Sequence, residues 1–146
     1  MAVYTQRHQI EAAIGKVSAG KLQAMVDDCR AGEMAQAAEQ EEQFDEQKFQ
    51  EWLATSMFKA LNKNVQSYIY SKYDQGTQAS FLSLHNDPST PQSAKDDIEM
   101  VWQWTRSVMG YYYQRKTEIL NNQVIDWDFA AEFDSADPDI KLQDLI

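Results

Sequence analysis

The sequence predicts an all-α protein: a small helical bundle built on two long antiparallel helices, with short N-terminal helices and an extended C-terminal tail. Five glycines and three prolines among 146 residues leave few turns for a many-stranded fold. Two segments, 46–73 and 91–121, carry apolar residues spaced by threes and fours, as helices do. The last 24 residues mix acids with aromatics. We therefore expect a helical bundle domain over 1–122 and a docking tail over 123–146.

The first 43 residues predict short helices. Thr5 is a candidate N-cap for a first helix, whose apolar positions are Ile10, Ala13, Ile14 and Val17. Ser18 begins a second short helix, which carries Leu22, Met25 and Val26. Together these two form a predicted amphipathic hairpin. Residues 30–43 are rich in helix formers but nearly lack large apolar side chains, which fits either an exposed helix or a mobile connector.

The first long helix has a strong start signal. Asp45 is a good N-cap residue, and Phe44 is placed to pack on Phe49 as a hydrophobic staple. No glycine or proline follows until Gly76, so we expect the helix to span about 46–73. Its predicted apolar stripe is Phe49, Leu53, Met57, Ala60, Leu61, Val65, Tyr68 and Ile69.

Residues 74–90 predict a loop, in which Phe81 and its apolar neighbours make at most one turn against the body. The second long helix then begins at Pro91, because proline is tolerated at a first helical position. Its apolar stripe includes Ile98, Val101, Trp102, Val108, Tyr112 and Ile119. Three aromatic residues lie off this stripe and widen the apolar surface, which predicts contact on more than one side. That contact is either within the fold or a subunit interface, for which the candidates are Trp104, Tyr111 and Tyr113.

The tail combines seven acids and one base, Lys141, with large apolar residues. Its alternation over 124–129 predicts a strand that needs a sheet edge elsewhere. Disordered solubilising segments are poor in aromatics because they bury nothing, so this mixture predicts a segment that docks on a partner. The candidate docking residues are Ile125, Trp127, Phe129, Phe133, Ile140, Leu142, Leu145 and Ile146.

Charge and composition bound the class of protein. The net charge is −10, and residues 45–122 are near neutral with nine acids and eight bases. This argues against sequence-specific nucleic-acid binding, which needs a basic surface, while an acidic surface lets DNA pass without sticking. A single cysteine forms no intrachain disulfide and suits a reducing compartment. No apolar run approaches the ~18 residues of a membrane span, so we expect a soluble protein made in the cytoplasm.

Residues with potential for catalysis are sparse. His8 and His85 belong to no metal-binding spacing, and the Gly-Lys pairs at 15–16 and 20–21 lack the rest of a phosphate loop. A nucleophilic Cys29 would need one of these histidines as its base. The acids Asp96, Asp97 and Glu99 are explained by the dipole at a helix start. The sequence therefore predicts no catalytic residue, no metal and no cofactor, and a protein that is not an enzyme.

Three segments resemble a known family. They are Tyr4-Thr5 with residues 9–15, the acid-capped helix from Phe44 to the spaced tyrosines of residues 67–73, and the helix from Pro91 to the tyrosines at 111–113. In this order the segments resemble the head–tail connector, or adaptor, proteins of tailed bacteriophages, including the family found in Mu-like phages. The resemblance covers most of residues 4–116.

The resemblance implies a structural virion protein located in the neck of the particle and made in the host cytoplasm. Such adaptors form rings, commonly dodecamers, that bind the portal protein and neck or tail proteins and pass DNA through the lumen. Residues 123–146 would be the element that docks on the portal or on a neighbouring subunit. Two alternatives stay open: a cytosolic acidic protein-binding module, such as an assembly chaperone or regulator, and an enzyme with an unrecognised site.

Overall fold

The structure, a computed structural model, describes residues 3–146. Within these residues all regular secondary structure is helical, which confirms the all-α prediction and the small helical bundle. The elements are α1 (Arg7–Ala13), α2 (Ala19–Glu39), α3 (Glu46–Lys72), α4 (Gln75–Asn86), α5 (Gln92–Leu120), α6 (Phe129–Phe133) and a single 3₁₀ turn (Leu142–Asp144).

The chain divides into two units. Unit 1 comprises the residues up to Asn62 together with Gln114–Trp127, and unit 2 comprises Lys63–Tyr113 together with Asp128–Ile146. Each unit takes one part of α3 and one part of α5, and each includes part of the tail. The expected division at residue 122 therefore coincides with neither boundary.

In unit 1 the core lies among α1, α2, the first half of α3 and the end of α5. Ser18 caps α2 as predicted, because its hydroxyl accepts a hydrogen bond from the Lys21 amide at 3.2 Å. The predicted cap of α1 is wrong by one residue: Gln6 is the N-cap, and its amide donates to the Gln9 side chain at 2.7 Å, while the Thr5 amide donates to Asp28 at 2.6 Å. The buried side chains include Ile10, Leu22, Val26, Phe49, Met57, Leu61 and Ile119.

Helix α2 is longer than the sequence patterns indicated. Residues 30–39 continue it as an exposed helix, so the connector begins only at Gln40. The Tyr4 ring packs directly on Gly32, where an added Cβ would lie 2.1 Å from the ring. Glu41 ends the helix in the left-handed region, with φ of 56°. This packing of the N-terminal segment on α2 is a tertiary contact that periodicity does not reveal.

The two long helices match their predicted bounds to within one residue. The Asp45 carboxylate caps α3 by accepting from the Lys48 amide at 3.1 Å, and the Phe44 and Phe49 rings lie 5.7 Å apart as the predicted staple. The Pro91 carbonyl accepts the first hydrogen bonds of α5. At its other end, Asn122 has a φ of 60° and closes the helix.

The loop predicted over 74–90 is wrong for most of its length, because α4 spans Gln75–Asn86. Asp74 caps this helix by accepting from the Thr77 amide at 2.7 Å. Gly76 lies in the first turn, where it does not interrupt the helix. Phe81 is fully buried in unit 2, and burying this side chain offsets the weak local helix signal.

The strand predicted over 124–129 is also wrong. Residues 123–128 have no regular structure, and α6 begins at Phe129. Asp128 is its N-cap, because the Asp128 carboxylate accepts a hydrogen bond from the Ala131 amide at 3.0 Å. The alternation itself is real, since Ile125, Trp127 and Phe129 are buried while the aspartates between them are exposed. An irregular segment that buries every second side chain therefore has the same period of two in its apolar residues as a strand.

Candidate protein-docking site

The tail separates into two parts, which we name the inner tail (residues 124–137) and the outer tail (residues 138–146). The inner tail is held by buried aromatic side chains and by hydrogen bonds that its carboxylates accept. The outer tail is held mainly by half-buried aliphatic side chains.

In unit 1 the inner tail supplies core side chains and a helix cap. Ile125 and Trp127 are only 8% and 7% exposed. Between them, the Asp126 carboxylate accepts from the Ala19 amide at 2.9 Å, next to the Ser18 cap of α2. A negative charge at a helix start is favoured by the exposed amides and the helix dipole. This acid therefore serves the fold of the chain itself.

In unit 2 the inner tail covers an aromatic surface formed by α3 and α5. The Phe129 ring lies 5.8 Å from Tyr68 and 5.4 Å from Tyr111, measured between ring centroids. The Phe133 ring lies 5.6 Å from Tyr111. The Trp104 indole N–H donates to the Phe133 carbonyl at 3.0 Å. Aromatic pairs at these spacings stabilise a fold beyond the area that they bury.

Two carboxylates of the inner tail bind phenol groups of α3 and the residue after it. The Tyr68 hydroxyl donates to Asp134 at 2.7 Å, and the Lys72 ammonium lies 3.2 Å from the same oxygen. These two partners hold the pKa of the Asp134 carboxyl below its usual value. The Tyr73 hydroxyl donates to Asp137. Burial, followed by these hydrogen bonds, raises the pKa of both tyrosines.

The outer tail is attached differently. The Asp139 amide donates to the Asp137 carboxylate at 2.9 Å, the Ile140 amide donates to the Tyr73 hydroxyl at 3.3 Å, and the 3₁₀ turn contacts α4. Of the hydrogen bonds in the described part of the chain, none joins residues 141–146 to anything outside the outer tail. Leu142 and Leu145 are half-buried, and Ile146 is 83% exposed. Apolar contact alone holds this end.

The structure therefore sorts the predicted docking residues. Ile125, Trp127 and Phe129 lie in the core of their units, and Phe133 is half-buried in unit 2. The four predicted docking residues that lie in the outer tail keep accessible apolar surface: Ile140, Leu142, Leu145 and Ile146.

The predicted interface aromatics are divided in the same way. Trp104 is 4% exposed and Tyr111 is half-buried, since the inner tail of the same chain packs on both. Tyr113 is 58% exposed. Tyr68 and Tyr73 also bind the tail, a role that was not predicted from the sequence. The sequence contained a sign of this role, because it has spaced tyrosines at and just after the end of α3 together with carboxylates in the tail.

A second cluster of polar groups lies in unit 1. The Arg7 guanidinium makes two 2.7 Å hydrogen bonds to Glu33 and lies 4.7 Å from the centroid of the Trp52 ring. The Cys29 thiol lies 3.3 Å from Glu33. Burial, followed by this carboxylate, raises the pKa of Cys29 to about 12, so the thiol stays protonated near neutral pH. This arrangement fits a packed thiol better than a nucleophile.

The histidines and acids do not converge on a metal site. His85 has its Nε2 atom 3.0 Å from a Glu99 oxygen, and His8 lies on the exposed side of α1. Within residues 3–146 the structure has no group of three histidine, cysteine or acidic side chains placed to hold a metal ion. None of the helices in the same range is long and apolar enough to cross a membrane.

Comparison of the chain with family models, with curated proteins and with solved structures finds no match.

Proposed function

We propose that this chain is an assembly protein that docks through its outer tail, and specifically a structural virion protein of the head–tail adaptor type. In this role it forms a ring between the portal and the tail or neck components, and DNA passes through the lumen. The observation that carries the proposal is the apolar end of the chain, which hydrogen bonds leave unanchored beyond Ile140. The proposal assigns no catalytic step to the chain.

The outer tail has the energetics of a docking segment. Leaving its site on α4 exposes only part of Leu142 and Leu145, because both are half-buried already. Seating the same side chains and Ile146 in a partner groove would bury more apolar surface, at roughly 25 cal/mol per Å². Part of this gain is offset by the cost of ordering the segment. The difference favours a partner that offers a deeper apolar groove than α4 does.

The charge of the chain suits a DNA channel. The net charge of −10 repels the phosphate backbone, so DNA would slide past such a ring without binding. Four of the seven tail acids have partners within the chain: Asp126, Asp128, Asp134 and Asp137. Fewer carboxylates of the tail are therefore free to bind a basic partner than the composition of the tail indicates. Support for the specific virion role comes from the sequence resemblance.

The test is quantitative mass spectrometry of phage particles purified from the source culture, comparing the amount of this chain with that of the portal protein. A ratio near one is expected for a ring stacked on the portal. Absence from the particles would overturn the virion role.

Docking through the outer tail is tested separately by capture of the portal protein. We expect the double variant Leu142→Asp, Leu145→Asp to lose capture. Val3→Asp is the matched control, since Val3 is 99% exposed and lies far along the chain from the tail. Equal capture by the double variant and the wild type would contradict docking through this segment.

A second candidate is a cytosolic acidic protein-binding module, for example an assembly chaperone or regulator. The exposed carboxylates of Glu132, Asp139 and Asp144 favour it, because they would meet a basic partner. If this candidate is right, the chain is absent from phage particles, and its binding to a basic partner protein weakens steeply as the salt concentration is raised.

A further inference from the structure

The Tyr73 hydroxyl lies where the inner tail passes into the outer tail. It donates to the carboxylate of Asp137, the last residue of the inner tail, and accepts from the Ile140 amide at 3.3 Å. The Asp139 amide donates to the same Asp137 oxygen at 2.9 Å. These hydrogen bonds close residues 137–140 into a turn around one phenol group.

Tyr73 is itself firmly held within unit 2. It is only 3% exposed, and its ring lies 5.9 Å from Phe81 of α4 and 5.6 Å from Trp104 of α5, measured between ring centroids. The Gln78 side-chain amide donates to the Tyr73 carbonyl at 2.8 Å. The hydroxyl is therefore a fixed point of attachment for the tail.

The turn over residues 137–140 depends on this attachment. Asp139 has a φ of 53°, in the left-handed region that residues other than glycine seldom adopt. Such a backbone persists where neighbouring contacts hold it. Within the part of the chain that the structure describes, Ile140 is also the last residue with a hydrogen bond that reaches outside the outer tail. The Tyr73 hydroxyl thus decides where the free end of the chain begins.

We propose that the Tyr73 hydroxyl is an autoinhibitory clamp, which holds residues 137–140 so that the outer tail stays on α4 and binds a partner less tightly. The 3₁₀ turn that contacts α4 starts two residues after Ile140, so the clamp keeps this turn at a high effective concentration beside α4. Leu142 and Leu145 cannot pack on their own chain and in a partner groove at once. The apparent affinity for a partner is therefore reduced by the fraction of molecules in which the outer tail is free.

The effect on a partner rests on the proposed docking function, whereas the restraint on the free chain does not. The clamp is tested by native trypsin digestion of the purified full chain, comparing Tyr73→Phe with the wild type at low trypsin concentration. Cleavage after Lys141 requires the adjacent turn to open, so its rate reports the open fraction. We expect cleavage to be about fivefold faster in Tyr73→Phe, as for the loss of one ordinary hydrogen bond.

Tyr68→Phe is the matched control, because the Tyr68 hydroxyl also donates to a carboxylate of the inner tail, Asp134, which lies before the turn. This variant should be cut after Lys141 at the rate of the wild type. Circular dichroism should show equal helix content in the wild type and in both variants. Equal rates of cleavage in Tyr73→Phe and the wild type would overturn the clamp.

Capture of the portal protein tests the autoinhibition. Tyr73→Phe should bind the portal protein about fivefold more tightly than the wild type, because its outer tail is free in a larger fraction of molecules. Faster cleavage after Lys141 without tighter capture would overturn the autoinhibition. If the wild type captures no portal protein, the proposed docking function fails, and the rates of cleavage still decide whether the clamp exists.

Discussion

The inner and outer tails have similar compositions but different attachments. Both mix aspartates with large apolar residues, yet the inner tail buries Trp127 and Phe129 and pairs its carboxylates with amides and phenols. The outer tail leaves Ile146 exposed, and Asp144 lies in a turn that bonds only within the segment. An acidic, aromatic segment can therefore be part of the core of its own chain. Composition alone does not assign such a segment to a partner.

The largest expected effect separates the two parts by stability. Phe129→Ala should lower the free energy of unfolding by about 3–5 kcal/mol, because it removes a buried ring from contact with Tyr68 and Tyr111. Leu145→Ala, at a half-buried position, should cost about 1 kcal/mol or less. Urea denaturation measures both values. Equal losses would remove the distinction between the inner and outer tails.

Acid should loosen the inner tail. Asp134 has a folded-state pKa below its ordinary value of about 3.9, so its stabilising contribution is present above that pH and is lost as the pH falls through the folded pKa. Thermal melts at pH 7 and pH 3 measure this. We expect Asp134→Asn to destabilise the protein at pH 7 and to flatten the pH dependence.

Glu132→Gln is the control for the acid experiment, because it removes an exposed carboxylate two residues before Asp134, within α6. It should keep the pH dependence of the wild type. If Asp134→Asn kept that dependence as well, the bonds from Tyr68 and Lys72 to this carboxylate would not contribute to stability in solution.

Limited proteolysis should cut the two parts at different rates. Lys141 is the one base of residues 123–146 and lies in the outer tail. Native trypsin digestion should therefore remove residues 142–146 early, leaving Lys116 inside α5 uncut. Mass spectrometry of the digest reports both sites. Cleavage at Lys116 before Lys141 would contradict a loosely held outer tail.

The smallest expected effect on stability comes from the last residue. Ile146→Asp should change the free energy of unfolding by no more than about 0.5 kcal/mol, because the side chain is 83% exposed. The same change should weaken capture of the partner if the outer tail docks. A chemical denaturation curve shifted well beyond that value would show that the end of the chain belongs to the core.

Local signals located the two long helices, while two shorter helices were not predicted although their N-cap residues are present in the sequence. Asp45, Pro91 and the apolar stripes located α3 and α5 to within one residue. Helix α4 was not predicted because glycine at position 76 favours a helix break, although Asp74, two residues earlier, is a good N-cap residue. In the tail, Asp128 before a short run of helix formers was an available sign of α6.

The attachment of the tail was beyond local reasoning. The docking residues were predicted as one set, and only the fold shows that Tyr68 and Tyr73 bind its inner carboxylates. The burial of Trp104 under the same segment has the same origin, since residues 104 and 133 meet only in the folded chain. Outer-tail residues such as Leu142 were predicted by composition and keep their accessible surface.

Native-state hydrogen exchange, followed by mass spectrometry of peptides from the inner and outer tails, tests the division of the tail most directly. We expect the amides of α6 in the inner tail to be protected together with the core of α5, and those of residues 141–146 to exchange within seconds. Equal exchange of the two peptides would contradict the division. If the two peptides exchange differently, added partner protein that slows the exchange of residues 141–146 would be identified as the protein on which the outer tail docks.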